Sequence, residues 1–256
     1  MNDGEKQDLL IKIYLTYLRD NKIKTEEFGI IKSLGFDNEY KEIEDKNLNF
    51  TEIQDDLNKI KDITKKLEIQ KSKPSDKADI KINKISYSLK CTGFSMPAIV
   101  NHTNREGWLK IAERKKIDIT ELDKIIEKYW VLRNEKKISE DCSNKNKYSP
   151  FKDKIEIVKP FLDYFLFEGT GKEDSLNPAN KIFEFEKYNS LSSWRIYGRE
   201  YLEKHWDNLY FCVRSKGMPT DYNAYKNRDL LEPWTRNYKG KKGNKKFRGS
   251  LHVRVG

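Results

Sequence analysis

The stretch that most constrains the fold is Asp79-Ile-Lys-Ile-Asn-Lys-Ile-Ser-Tyr-Ser-Leu-Lys90, in which apolar and polar residues alternate on both sides of Asn83-Lys84. A period of two marks a half-buried strand, and asparagine tolerates the positive φ that a two-residue hairpin turn needs. With Asn83-Lys84 as the turn, Ile82 pairs with Ile85, Ile80 pairs with Tyr87, and Asp79 falls opposite Ser88. Side chains alternate across a strand, so Asp79, Lys81, Ser86, Ser88 and Lys90 share one face. Ile80, Ile82, Ile85, Tyr87 and Leu89 share the other, an apolar set ready for a core.

Before the hairpin, residues 1–70 read as helical. Leu9, Ile13 and Tyr17 form a stripe with Leu10, Tyr14 and Leu18 beside it. Thr25 is expected to cap a short second helix ending near Gly35, and Thr51 to begin a third, with residues 36–50 as loop. After the hairpin, the pattern predicts a helix from Pro97 to Lys116 and another capped by Thr120. A further helix over residues 151–167 bends at Pro160, and Gly169-Thr-Gly171 ends it. Strands are expected at Lys181–Tyr188, Leu209–Arg214 and Leu251–Val255, with a helix over Trp194–Trp206. The glycine- and lysine-rich stretch Arg236–Arg248 reads as too polar to pack and mobile. Together these elements predict a mixed α/β fold, with a mixed central sheet flanked by helices. Residues 1–70 form its helical N-terminal region and residues 71–256 its α/β core, within one compact domain overall.

The chain has 256 residues, long enough to bury a core, and 12% aromatic content excludes wholesale disorder. Its net charge is +10, from 51 Lys and Arg against 41 Asp and Glu. Such an excess favours polyanionic partners through steering and counterion release, although a lysine-rich proteome gives the same balance. Cys91, Cys142 and Cys212 lack any C-x-x-C spacing and read as reduced thiols of a cytoplasmic protein, not a disulfide framework or zinc site. No apolar run approaches the ~18 residues of a membrane span, and residues 1–6 lack a signal-peptide core. His102, His205 and His252 are too scattered to nominate a histidine metal site. Gly169-x-Gly171 is too short for a nucleotide loop, so no nucleotide cofactor is expected.

The polar face of the hairpin gathers a carboxylate, a hydroxyl and an ammonium. A hard divalent cation takes oxygen ligands, which Asp79, the Leu89 backbone carbonyl and Ser88 offer. Such a cation activates water, while Lys90 can orient or deprotonate it and stabilise charge on a phosphate. An ordinary exposed sheet face bearing a salt bridge has the same spacing.

Residues 71–90 resemble the active-site hairpin of the PD-(D/E)XK nucleases, as found in type II restriction endonucleases. Asp79, in its Ser75-Asp-Lys-Ala-Asp-Ile80 context, matches the first metal-binding aspartate, and Ser88-Leu89-Lys90 matches the (D/E)-x-K element. Ser88 stands where the family usually carries an acid. Phe165–Gly171 and Gly249–Arg254 also resemble stretches of restriction enzymes. The resemblance implies a Mg²⁺-dependent endonuclease that cuts double-stranded DNA at a specific short sequence. It implies a homodimer as well, because palindromic sites mirror twofold symmetry. A PD-(D/E)XK nuclease of repair, RNA processing or phage defence, and a non-enzymatic nucleic-acid-binding protein, are the alternatives.

Side chains suited to DNA follow and flank the hairpin. Asn101, His102, Asn104 and Arg105 are of the types that contact phosphates and base edges. Lys73, Lys77, Lys241, Lys242 and Lys245 are candidates for phosphate contacts. Arg195, Arg199 and His205 lie among aromatics and fit a buried amphipathic element better.

Overall fold

The fold was analysed in a computed structural model, which describes residues 3–44, 47–240 and 243–256. In chain order the elements are α1 (Asp3–Asp20), β1 (Leu34–Gly35), α2 (Phe50–Asp55), α3 (Leu57–Lys66), β2 (Ile80–Ile82), β3 (Ile85–Cys91), β4 (Ala98–Asn104), α4 (Arg105–Lys115) and α5 (Thr120–Asn134). They continue with β5 (Asp141–Ser143), α6 (Ile155–Phe167), β6 (Lys181–Phe185), β7 (Arg195–Tyr197), α7 (Tyr201–His205), β8 (Leu209–Gly217), α8 (Arg228–Leu231), β9 (Arg236–Gly240) and β10 (Gly243–Val255). The chain is mixed α/β with two sheets. It divides into two compact units, residues 1–97 with 175–199 and residues 98–174 with 200–256. The helices of residues 1–70 therefore belong with the hairpin and with a strand from much later in the chain.

The first unit is built on a five-stranded mixed sheet ordered β1-β2-β3-β6-β7. Only the β3–β6 pairing is parallel. One face carries Ile80, Ile82, Tyr87, Phe183 and Phe185 into a core closed by Leu10, Ile11 and Ile13 of α1. Phe28 meets Tyr87, Phe183 and Trp194 edge-on. That packing explains why Thr25 starts no helix: its segment closes as a turn, with Thr25 bridged to Gly29, and delivers Phe28 to the core. The helix expected from Thr51 is two helices, because Asn49 caps α2 and Asp56 both ends it and caps α3. The helix expected over Trp194–Trp206 is also replaced. A short 3₁₀ turn leads into β7, which pairs with β6 and leaves Trp194 fully buried, before the brief α7.

The second unit holds an antiparallel sheet ordered β4-β10-β8-β5, with β9 also paired to β10. Leu251, Val253 and Val255 of β10, with Phe211 and Val213 of β8, are buried on one face. Trp108, Phe161, Phe165 and Trp234 pack into an aromatic cluster. Residues 98–104 are a strand where a helix was expected, because Ala98, Val100, Thr103 and Asn104 gain a ladder against β10; the helix starts only at Arg105. Arg236–Arg248 is not a mobile loop but a β-ribbon: Arg236–Gly240 pairs with Gly243–Phe247, so backbone bonds supply the order that side-chain polarity seemed to deny. Asp118, not Thr120, accepts the hydrogen bonds at the start of α5. Among the described residues no helix is long and apolar enough to cross a membrane.

Candidate active site

The β2–β3 hairpin has the register its alternation dictates: Ile82 faces Ile85, Lys81 faces Ser86, and Ile80 faces Tyr87. Asn83 and Lys84 both take positive φ, +49° and +68°, as a two-residue hairpin turn requires. Asn83 is held further by accepting from Lys32 N–H at 2.7 Å. One residue before the ladder the chain bends at Asp79, whose N–H donates to the Tyr87 carbonyl at 2.8 Å, one residue short of the expected pairing with Ser88. It is therefore the Asp79 side chain, not the ladder, that reaches Ser88 and Leu89. The apolar face is as expected for Ile80, Ile82 and Tyr87, whereas Ile85 at the turn is exposed.

The Asp79 carboxylate is fixed by three donors. Its Oδ2 accepts from Leu89 N–H at 2.8 Å and from the buried Ser88 hydroxyl at 3.4 Å, and its Oδ1 accepts from Ser72 Oγ at 3.1 Å. In an extended strand a residue's N–H and C=O point to the same edge, so the Leu89 carbonyl lies along the edge that Asp79 occupies. Lys90 is half-buried two residues past Ser88, on the same face. Burial lowers the pKa of its ammonium and the nearby Asp79 carboxylate opposes that fall. Lys77 stands beside them, with its pKa lowered to about 8 by burial and by Lys90 while Asp79 opposes.

The sequence reading missed a second layer. Asp8 of α1 pairs with the fully buried Lys12 at 2.9 Å. Burial raises the Asp8 carboxyl, Lys12 opposes that rise, and Asp79 adds to it, so the two carboxylates feel one another. The Tyr40 phenol is pushed up by burial and then by Asp8 and Asp79. Its hydroxyl and Gln7 Oε1 are buried with no hydrogen-bond partner among the described residues. The available signal was the pair Asp8 and Lys12, opposite charges at i and i+4 on either side of the apolar Leu9–Ile11. On the other side, Lys90, Glu184 and Arg195 are adjacent across β3, β6 and β7. Glu184, Glu186, Arg195 and Tyr197 line a cleft of about 370 Å³ there. Among the described residues no three His, Cys, Asp or Glu side chains converge as a ready-made metal cage.

The residues chosen for DNA contact fare unevenly. Arg105 is not available: it is buried, donates to both Asp123 carboxylate oxygens at 2.8 and 2.7 Å, and reaches the Leu230 carbonyl. Asn104 is committed as well, since its side chain caps α4 by accepting from Gly107 N–H. His102 is half-buried against His252, with ring centroids 4.2 Å apart, while Asn101 is exposed. Lys73 is exposed in the segment before β2, and Lys245 is exposed on β10. Lys241 and Lys242 lie outside the described residues. Comparison with known protein families, curated proteins and solved structures finds no match to this chain.

Proposed function

We propose that the chain is a metal-dependent endonuclease of the PD-(D/E)XK kind, hydrolysing double-stranded DNA at a specific short sequence as type II restriction enzymes do. The observation that carries this reading is the convergence of Asp79, Ser88 and Lys90 on one face of a hairpin set inside a mixed sheet. The donor set suits Mg²⁺, which takes hard oxygen ligands and is commonly held by one or two carboxylates, with water and phosphate completing the sphere. Asp79 would be its carboxylate ligand, with the Leu89 carbonyl and the Ser88 hydroxyl beside it, while Asp8, paired with Lys12, adds negative charge nearby. When bound, the cation supplies Lewis-acid polarisation of the phosphate and a more acidic water.

The chain's own groups divide the remaining work. Ser72, Ser88 and Leu89 N–H hold the Asp79 carboxylate in one orientation, so it presents its free lone pairs without reorganising. Lys90 holds the attacking water and offsets charge that develops on the scissile phosphate. Lys77 adds a second cation at the same place. Ser88 in the position of the usual acid leaves the site short of one anionic ligand, so it depends more on substrate phosphate. A homodimer on a palindromic duplex is the assembly this function calls for.

The test is plasmid cleavage with Mg²⁺ or with EDTA, beside DNA binding measured in Ca²⁺. Asp79→Ala and Lys90→Ala are each expected to lower the cleavage rate by roughly 10²–10⁴-fold while binding persists. Ser88→Ala is expected to do less, because water can replace a neutral hydroxyl. Cleavage by Asp79→Ala at the parent's rate would falsify the assignment.

A further inference from the structure

The chain's positive charge is not spread evenly. Residues 209–256 hold 12 Lys and Arg against 3 Asp and Glu, an excess of nine out of the chain's +10. Within this stretch β8 and β10 run antiparallel, with Arg248 across from Lys216, Ser250 across from Arg214, and His252 across from Cys212. Because side chains alternate, Arg214, Lys216, Arg248, His252 and Arg254 emerge on the face opposite the buried Leu251, Val253, Phe211 and Val213. Arg214 and Lys216 are exposed; Arg248, His252 and Arg254 are half-buried. A β-bulge at the β4–β10 pairing, where His102 takes φ +44°, turns the His102 ring onto His252.

Two features of this face point to an anion. Like charges directly across a strand pair destabilise it, and Arg248 faces Lys216 in this way. Hydrogen-bonding capacity is also unspent: Arg248 Nε has no partner among the described residues. The field is felt by the imidazoles. His252 is lowered to about 4 by burial and then by His102 and Arg254, with Asp141 opposing.

We propose that this face of the second unit's sheet binds the sugar-phosphate backbone of duplex DNA, with Arg214, Lys216 and Arg248 as its principal phosphate contacts. Arginine and lysine are the usual donors to phosphate, and such backbone contacts can be made from the face of a sheet without an element entering a groove. Single-strand binders stack bases on exposed aromatic side chains, and the rings on this face among the described residues, Tyr210, His252 and His102, are all half-buried, so duplex is the better fit. The choice of DNA rests on the nuclease reading above; the surface itself does not.

The test is fluorescence anisotropy with a labelled DNA duplex in Ca²⁺, across a range of salt. Arg214→Ala, Lys216→Ala and Arg248→Ala combined are expected to reduce the log-log salt slope by about 2.7, or 0.9 per phosphate released. The affinity gap between parent and variant should then shrink about 40-fold between about 50 and 200 mM salt. The exposed pair Arg214→Ala and Lys216→Ala gives a slope change near 1.8 without touching a half-buried residue. A control of equal charge, Lys24→Ala with Lys61→Ala and Lys128→Ala, should leave the slope unchanged. A parent-like slope in the face variants, or an equal fall in the control, overturns the surface. Equal affinity for single-stranded DNA or for duplex RNA overturns the partner. A chain that binds duplex through this face yet never cuts it overturns the hydrolytic reading alone.

Discussion

His252 shows how a single side chain reports its surroundings. Its ring lies against that of His102, across the ladder from Cys212 and within the field of Arg214, Arg254 and Asp141, and burial and the cations favour the neutral form. Its pKa of about 4 in the folded chain lies below the ordinary ~6.5, so the unfolded chain binds the proton first as pH falls. The stability this contributes is fully present above about pH 6.5 and is lost progressively as pH falls toward 4. His252→Gln should therefore lose less Tm than the parent between those limits; a Tm difference that stays constant with pH would remove His252 as the cause. Other single residues were less legible. The sequence presented Arg105 as a free cation near the hairpin, but its bidentate pair with Asp123, which also accepts from Trp234 Nε1 at 2.7 Å, makes it structural. Such a pair forms between residues 18 positions apart on different helices, and no local pattern announces it. The Asp8–Lys12 pair was legible as an i, i+4 spacing, but its nearness to Asp79 was not, since only the folded chain brings α1 there.

Among elements, the β2–β3 hairpin was the most legible because two local signals agreed: alternation set the faces and Asn83-Lys84 set the register. The turn also offers a clean energetic test. Lys84 holds φ +68°, a region that costs a residue with a Cβ about 1–2 kcal/mol. Lys84→Gly should stabilise the chain by about 1 kcal/mol, roughly 2–4 °C in Tm. Asn83→Gly should not, because it also removes the bond that Lys32 N–H donates to Asn83. If Lys84→Gly lowers Tm, the positive φ at this position is wrong. Elements whose order comes from partners distant in sequence were not legible. β4 lost its period at the bulge and was followed at once by a true helix, so the two merged into one expected helix. The β9–β10 ribbon looked like loop because its polarity says nothing about backbone pairing.

At the scale of the whole molecule, the division into units depends on a strand the reader of a sequence cannot place: β6 joins β3 in parallel only after the chain has built most of another unit. Parallel pairing always needs a long crossover, so sequence neighbours give no hint of it. Charge was legible from composition, but its concentration in residues 209–256 acquires meaning only when alternation puts Arg214, Lys216, Arg248 and Arg254 on one sheet face. The consequence is thermodynamic. A partner that binds only the folded chain stabilises it by about 2.7 kcal/mol at one hundred times its Kd, and for a chain of this size that is roughly 5–10 °C in Tm. Duplex DNA added in Ca²⁺ at low salt should therefore raise Tm by that amount. The rise should fade as salt is increased, because the counterions released on binding become harder to release. Asp79→Ala should show the same rise as the parent, since its carboxylate serves hydrolysis and not backbone contact, whereas Arg214→Ala with Lys216→Ala should show a smaller one. A Tm indifferent to saturating duplex at low salt would mean that the folded chain gains nothing from DNA, and both the basic face and the nuclease reading would have to be abandoned.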